Sequence, residues 1–133
     1  EIVQGFPEFK ADVYLGGPVE TDRIFFIHTI GEMIPDSYKI SDGLYWSGNV
    51  NALKAMIKMD LIKPHEVRFY VGYDGWEGGQ LRNELKANTW LVGKFSTKQL
   101  LTTIPGKMWK SFVRQMGKRY MLWDKFPVNP SEN

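Results

Sequence analysis

The residues best suited to chemistry lie in the segment 72–80, GYDGWEGGQ, where four glycines surround a tryptophan and two carboxylates. A glycine cluster between a strand and a helix can bind phosphate through its backbone N–H groups. Here the spacing fits neither GxGxxG nor GxxxxGK[ST], and Asp74 and Glu77 would repel an anion. We therefore interpret the segment as a turn that needs backbone freedom, and we expect a positive φ at one or more of its glycines.

Trp76 has two interpretations, because a ring within a glycine-rich loop either folds back onto the protein or lines a cleft. We favour folding back, with Trp76 packed against Leu81 or the neighbouring sheet. The alternative is a binding site centred on Trp76, Tyr73 and Gln80. In that case the ring would be exposed and would contribute little to folding.

A second glycine segment, Gly16-Gly17-Pro18, follows the short apolar run 13–15. Two adjacent glycines before a proline are typical of a turn, and they also occur where a ligand approaches bare backbone. We favour the turn. Both glycine segments nevertheless stay in the candidate site, because each leaves backbone groups open to a ligand.

Three carboxylates, Asp22, Glu77 and Glu84, could serve as a general acid or base. Asp22 and Arg23 are adjacent on a predicted strand, so their side chains point to opposite faces unless a bulge intervenes. An enzyme would require such carboxylates to converge within hydrogen-bonding reach of one substrate. The sequence does not establish that convergence.

Metal, thiol and serine chemistry find no support in the sequence. Cysteine is absent, and the two histidines, His28 and His65, are not accompanied by carboxylates at ligand spacing. No serine lies in a GxSxG or SxxK setting. We predict no metal and no cofactor, and we expect His28, inside an apolar run, to be a core histidine.

The charges are unevenly distributed along a chain whose net charge is only +2. Residues 94–125 carry eight cations and one anion, whereas the rest of the chain is acidic. In the predicted last helix, 107–120, the cations Lys107, Lys110, Arg114 and Lys118 share the face opposite the apolar residues. We interpret this as a solvated face; phosphate-backbone contact is the alternative. Nucleic acid is therefore not an expected partner.

The apolar patterning predicts a mixed α and β domain. Runs rich in β-branched and aromatic residues predict strands at 13–15, 22–30 and 66–73, and a short return strand at 90–92. The pair Asp42-Gly43 predicts a tight hairpin between 38–41 and 44–47. Helices are predicted from the Asn49 cap to about Asp60, and at 80–87, 97–103 and 107–120. The predicted fold is α+β: one domain over residues 1–125, with a mixed, largely antiparallel sheet against which helices pack, and a tail at 126–133.

Composition excludes several classes of protein. The 133 residues are 43% hydrophobic and 24% charged, values that are ordinary for a globular domain with its own core. No apolar run approaches the roughly 20 residues that span a membrane. Neither a basic stretch nor an apolar one follows Glu1, as a signal peptide would require. We expect a cytoplasmic protein that does not bind membranes.

Four separated blocks carry a family resemblance: LGGPV at 15–19, DRIFFIHT at 22–29, ISDGLYWSG at 40–48 and GYDGWEGGQLRNELKANTWL at 72–91. Together, and in this order, they resemble the YqgE/AlgH family of bacterial proteins. The ending at 120–123 is similar to the Bacteroidetes branch. Members of the family carry a further N-terminal section. The resemblance thus implies that this chain is the C-terminal part of the family domain, and we expect an exposed sheet edge or apolar patch where that section would lie.

The resemblance implies a cytosolic α+β domain with no catalytic residues or cofactor to carry across, and one branch is named for regulation of alginate production. Our leading hypothesis is a non-catalytic binding or regulatory module, with a role in transcriptional regulation among its functions. The alternative is an enzyme that acts on a small polar substrate through carboxylates. The partner is not identified, and a second copy or another protein would fit. The candidate ligand or partner cleft consists of Gly16, Gly17, Pro18, Asp22, Tyr73, Trp76 and Gln80.

Overall fold

A computed structural model describes residues 8–117 of the chain. The predicted tail at 126–133 and the predicted end of the last helix lie outside the described residues. Two short 3₁₀ turns, Gly31–Met33 and Pro64–Glu66, join the larger elements. The strands and helices are β1 Val13–Leu15, β2 Val19–His28, β3 Tyr38–Ser41, β4 Leu44–Trp46, α1 Val50–Lys58, β5 Val67–Tyr73, α2 Gln80–Lys86, α3 Thr97–Thr102 and α4 Pro105–Gln115.

The strands form one five-stranded sheet in the order β1-β5-β2-β4-β3. β1 runs parallel to β5, and every other neighbouring pair is antiparallel. The predicted class is confirmed: a single α+β domain with a mixed, largely antiparallel sheet. The two edge strands expose apolar side chains, Leu15 on β1 and Tyr38 on β3.

One face of the sheet packs against α1. Alternate residues of the central strands, Phe26 on β2 and Phe69 on β5, point to this face because successive side chains of a strand alternate. α1 meets them with Leu53, Met56 and Ile57, which are spaced three and four apart as one helix face requires. The Asn49 side chain accepts a hydrogen bond of 2.9 Å from the backbone N–H of Ala52, so the predicted cap is present.

The opposite face packs against the C-terminal helices. Ile27 and Leu44 form a second buried cluster with Leu101 of α3. α4 begins at Pro105, where proline is well tolerated because the first N–H of a helix has no intrahelical acceptor. Arg68 of β5 also points to this face and is only 5% exposed.

His28 is fully buried, as predicted for a core histidine. Its Nδ1 lies 3.3 Å from the backbone N–H of Ile30, which donates to it. Its Nε2 lies 2.9 Å from the carbonyl oxygen of Ser47 and 3.1 Å from the hydroxyl of Ser37. These contacts fit the neutral ring with its proton on Nε2. Burial also favours the neutral ring, because it lowers the pKa of His28.

Two predicted elements need correction. The return strand predicted at 90–92 is wrong, because this segment joins no strand of the sheet. The Trp90 side chain is instead hydrogen-bonded to a carboxylate of α2, so its neighbours do not form a β ladder. β2 begins earlier than predicted, at Val19, because Val19 pairs with Tyr73 beyond an irregularity that ends at Ile24. The turn residue Gly43 adopts φ 73°, in keeping with the predicted hairpin.

Candidate functional site

The two glycine-rich segments meet at one edge of the sheet. β1 and β5 are parallel, with Leu15 opposite Val71, so the residues that follow them lie side by side. The backbone N–H of Gly16 donates to the carbonyl of Val71 at 2.9 Å. A Cβ at Gly16 would collide with the carbonyl oxygen of Gly72, and one at Gly17 with the backbone of Tyr73. We call Gly16, Gly17 and Gly72 the glycine junction.

Gly72 is the most constrained member of the glycine junction. Its φ is 70°, which L-residues with a Cβ rarely adopt. A Cβ here would meet the carbonyl oxygen of Gly17 in addition. The predicted positive φ in the segment 72–80 is confirmed at Gly72 and again at Gly79, where φ is 84°. Gly72 lies within β5 and only Gly78 and Gly79 of its segment form a turn, while Gly16 and Gly17 lead into a bend at Pro18. The two segments pack backbone against backbone.

A cleft of about 290 Å³ opens beside the glycine junction. Gly16 and Gly72 contribute backbone to it, Trp46, Tyr70 and Tyr73 contribute rings, and Ile27 and Asp74 also line it. We call it the aromatic cleft. Ligand pockets usually measure about 300–1,000 Å³, so the size of this cleft favours a small ligand over an extended molecule.

Ring stacking fixes one wall of the aromatic cleft. Phe25 stacks on Trp46 with a centroid distance of 5.6 Å and meets Tyr73 edge-to-face at 5.5 Å. All three rings are half-buried. Because stacked rings lose little further freedom when a ligand binds, this wall is formed in advance of binding.

At the open side of the aromatic cleft, Asp74 favours a neutral or cationic ligand. Burial raises the pKa of Tyr70, so its hydroxyl keeps its proton at neutral pH, while the nearby Arg68 acts in the opposite sense. Asp74 is exposed beside the cleft. Its carboxylate would attract a cation and repel an anion. The arrangement therefore agrees with the sequence-based argument against phosphate binding at this segment.

Trp76 belongs to a separate cluster on α2. Its Nε1 donates to Oε2 of Glu84 at 3.0 Å, and Nε1 of Trp90 donates to the same oxygen at 2.7 Å. The two indole rings meet edge-to-face at 5.5 Å. Gln80 donates to the other oxygen, Oε1, at 2.9 Å. The ring contact that the structure shows for Trp76 is with Trp90, a partner that the local sequence does not mark, and the Trp76 side chain remains 38% exposed.

Hydrogen bonds from Trp90, Trp76 and Gln80 lower the pKa of Glu84, in that order of importance. A general acid needs a raised pKa, so Glu84 has the wrong protonation behaviour for that role. Asp22 is exposed on the irregular part of β2, and Glu77 is exposed in the loop before α2. Gln80 bridges two of these residues, since its side-chain oxygen accepts from the backbone N–H of Glu77 at 3.1 Å and its amide N–H donates to Glu84 at 2.9 Å.

The candidate residues therefore divide among three places. Gly16 and Tyr73 line the aromatic cleft, and Gly17 lies beside them in the glycine junction. Trp76 and Gln80 belong to the cluster around Glu84, while Pro18 and Asp22 are exposed on the strand side. Sequence reasoning missed the remaining cleft residues: Ile27, Trp46, Tyr70, Gly72 as a lining residue, and Asp74.

Strand alternation could have indicated part of this set. Ile27 and Tyr70 occupy the positions next to Phe26 and Phe69, so they point to the face opposite α1. Among the described residues, no group of three or more histidine or acidic side chains could hold a metal ion. No helix within residues 8–117 is long and apolar enough to cross a membrane.

Fold and cleft together define a small α+β domain with a preformed apolar cleft beside a backbone junction. The chain belongs to the AlgH-like family, whose family model matches residues 1–121. It is 43% identical over 129 residues to a UPF0301 protein of Parabacteroides distasonis, covering 96% of this chain and 64% of the relative. It is 37% identical over 133 residues to a UPF0301 protein of Chlorobaculum parvum, covering 100% of this chain and 71% of that relative.

The fold is also similar to a solved structure, the solution structure of the AlgH protein from Pseudomonas aeruginosa. The TM-score is 0.66 at 29% sequence identity, and the match covers 89% of this chain and 61% of the AlgH chain. The resemblance read from the four sequence blocks is confirmed. The chain therefore spans under two thirds of the AlgH protein and of the Parabacteroides relative.

Proposed function

We propose that this chain is a non-catalytic binding module whose ligand occupies the aromatic cleft. The observation that carries the proposal is the glycine junction beside the stacked rings: a cleft of about 290 Å³ with bare backbone on one side and preformed aromatic rings on the other. Such a site recognises a ring by shape and stacking, and it needs no reacting group.

The chemistry of the cleft limits the ligand to a planar ring system that is neutral or cationic. Trp46 and Tyr73 offer ring faces and edges, Tyr70 offers a hydroxyl, and Asp74 offers a negative charge. A cation near aromatic rings and a carboxylate gains from both. A small aromatic amine meets each of these demands.

The hydrogen bonds that lower the pKa of Glu84 support a non-catalytic role over an enzyme that uses this carboxylate as a general acid. A regulatory role, including transcriptional regulation, is part of the proposal: a partner protein or a second copy would respond to the occupied cleft. The proposal places the domain in the cytoplasm, as the family resemblance implies. It does not include direct contact with nucleic acid.

The test uses three ligands that share the indole ring system and differ in charge. Tryptamine is a cation, indole is neutral and indole-3-acetate is an anion. In ¹H–¹⁵N NMR titrations we expect tryptamine to bind most tightly, indole less tightly and indole-3-acetate least. The amide shifts should centre on Gly16, Gly72 and Asp74. Asp74→Asn should reduce the advantage of tryptamine over indole, because it removes the charge and leaves the rings in place.

Glu77→Gln is the matched control, since it removes one exposed carboxylate from the same loop but not from the cleft. It should leave the order of the three ligands unchanged. The proposal is wrong if none of the ligands shifts the cleft amides. It is also wrong if Glu77→Gln and Asp74→Asn change the order equally, because the charge effect would then be nonspecific.

A further inference from the structure

A second concave site lies along α4 and is distinct from the aromatic cleft. It is a groove of about 690 Å³ lined by Thr103, Lys107, Lys110, Ser111, Arg114 and Gln115. None of these residues lines the aromatic cleft. We call it the basic groove.

The cations of the basic groove lie on one helix face, because Lys107, Lys110 and Arg114 are spaced three and four apart. Like charges at these spacings destabilise a helix. The described lining residues include no aspartate or glutamate. Within residues 8–117, neither Lys107 nor Lys110 forms an ion pair. Lys107 and Lys110 therefore bring positive charge that no acidic side chain among the described lining residues neutralises.

A buried cation lies behind the same groove. Arg68 is 5% exposed, and its Nη2 donates to the carbonyl oxygen of Thr103 at 2.6 Å. Its Nη1 approaches the sulfur of Met108 at 3.7 Å, and its guanidinium lies 4.9 Å from the centre of the Tyr14 ring. These partners are neutral. Within the described part of the chain, Arg68 has no carboxylate partner.

Burial and position make Arg68 part of the electrostatics of the groove. A buried guanidinium is screened less than a surface lysine, so its charge acts over a longer distance. Its hydrogen bond to Thr103 fixes it against a residue that lines the groove. The field inside the groove thus comes from flexible surface cations together with one rigid cation beneath them.

We propose that the basic groove binds a small molecule that carries a di- or triphosphate group. The volume lies in the range typical of ligand pockets, about 300–1,000 Å³. Lys107 and Lys110 supply charge, and Ser111 supplies a hydroxyl that donates to phosphate oxygens. A small ligand fits this groove better than a duplex does, since a duplex-binding protein commonly makes about 6–10 phosphate contacts and three cations line the groove. On sequence alone these cations read as a solvated face; the concavity and Arg68 are what the structure adds.

The test is calorimetric titration with pyrophosphate and tripolyphosphate, with sulfate as a simple anion. We expect tripolyphosphate to bind more tightly than pyrophosphate and sulfate to bind weakly, with affinity falling as salt rises. The double variant Lys107→Gln/Lys110→Gln should weaken tripolyphosphate binding by at least about tenfold, because it removes two charge-assisted contacts.

The control is Lys58→Gln/Lys86→Gln, which removes the same charge from exposed positions near the ends of α1 and α2. It should bind tripolyphosphate like the unaltered chain. Equal weakening in both double variants would overturn the proposal, since binding would then follow net charge alone. Tighter binding of a short DNA duplex than of tripolyphosphate, lost in Lys107→Gln/Lys110→Gln, would overturn it in favour of nucleic acid. Amide shifts confined to the aromatic cleft would also contradict it.

Discussion

The glycine junction leads to a quantitative prediction. Replacing a glycine by alanine can destabilise the fold in two ways, through strain at a positive φ and through overlap of the added Cβ. Four glycines of this chain allow these two free-energy costs to be measured separately. Gly78 has no positive φ, and a Cβ there would meet nothing within 4 Å. Gly79 has the same open space, but its φ is 84°. Gly17 has no positive φ, and its Cβ would overlap the backbone of Tyr73. Gly72 combines a φ of 70° with a collision against the carbonyl of Gly17.

The expected losses of unfolding free energy follow from these environments. Gly78→Ala should change stability by less than about 0.5 kcal/mol, as exposed substitutions usually do. Gly79→Ala should cost about 1–2 kcal/mol for the left-handed backbone alone. Gly17→Ala should cost about 1–3 kcal/mol for overpacking, at the upper end because the obstacle is backbone rather than a side chain that can rotate. Gly72→Ala carries both costs, so we expect about 3 kcal/mol or more.

Urea unfolding followed by circular dichroism measures the four differences directly. Thermal melts provide a second measure, at roughly 4 °C per kcal/mol for a domain of this size. The order Gly78 < Gly79 < Gly72 is the essential result, with Gly17 also below Gly72. If Gly72→Ala is no more destabilising than Gly79→Ala, the close packing of the two backbones does not exist, and the argument for a preformed cleft loses its basis.

Two further predictions concern titratable groups. Burial lowers the pKa of His28 from 6.5, so the unfolded chain gains a proton below about pH 6.5 that the folded chain resists, and stability should fall as pH drops through that range. His28→Gln should flatten this slope in urea unfolding at a series of pH values. A slope equal to that of the unaltered chain would refute the assignment. The pKa of Glu84 is lowered below 4.5, so its contribution is present above that pH and lost as pH falls through the folded value. Glu84→Gln should therefore lower the melting temperature at pH 7 more than near pH 3. Trp90→Phe should have the same effect, because it removes the N–H that donates to Glu84. Melting temperatures that are unchanged at pH 7 would refute the link between α2 and Trp90.

Local sequence signals predicted most of the fold, because they act over a few residues. The Asn49 cap, the Asp42-Gly43 turn and the alternation around Phe26 and Phe69 each depend on near neighbours, and each is present. The strand predicted at 90–92 failed for the same reason: its composition favours β structure, but Trp90 is held by Glu84. Composition does not report such a partner.

The aromatic cleft was only partly predictable, since it depends on how distant strands align. Both glycine segments were interpreted as separate turns, yet nothing in either one indicates that the two touch. Trp46 comes from a third strand, and its place beside Phe25 follows from the pairing of β4 with β2. The register of the strands is set by the whole sheet and its core. Local sequence patterns therefore identify the separate parts of the site but not how they are brought together.

The pairing of β1 with β5 has a consequence for the order of folding. β1 contributes three residues, Val13–Leu15, and its neighbour in the sheet is the last strand to be synthesised among β1–β5. Pairing β1 with β5 closes a long loop, and the loss of chain entropy precedes the contacts that offset it. We therefore expect β1 to join the sheet late in folding and to leave it first in unfolding. Gly16 arrives with β1, and the cleft is therefore complete only in molecules whose β1 is docked. A ligand that fills the cleft would slow the release of the edge strand β1. It would therefore also slow the hydrogen exchange of the Gly16 amide.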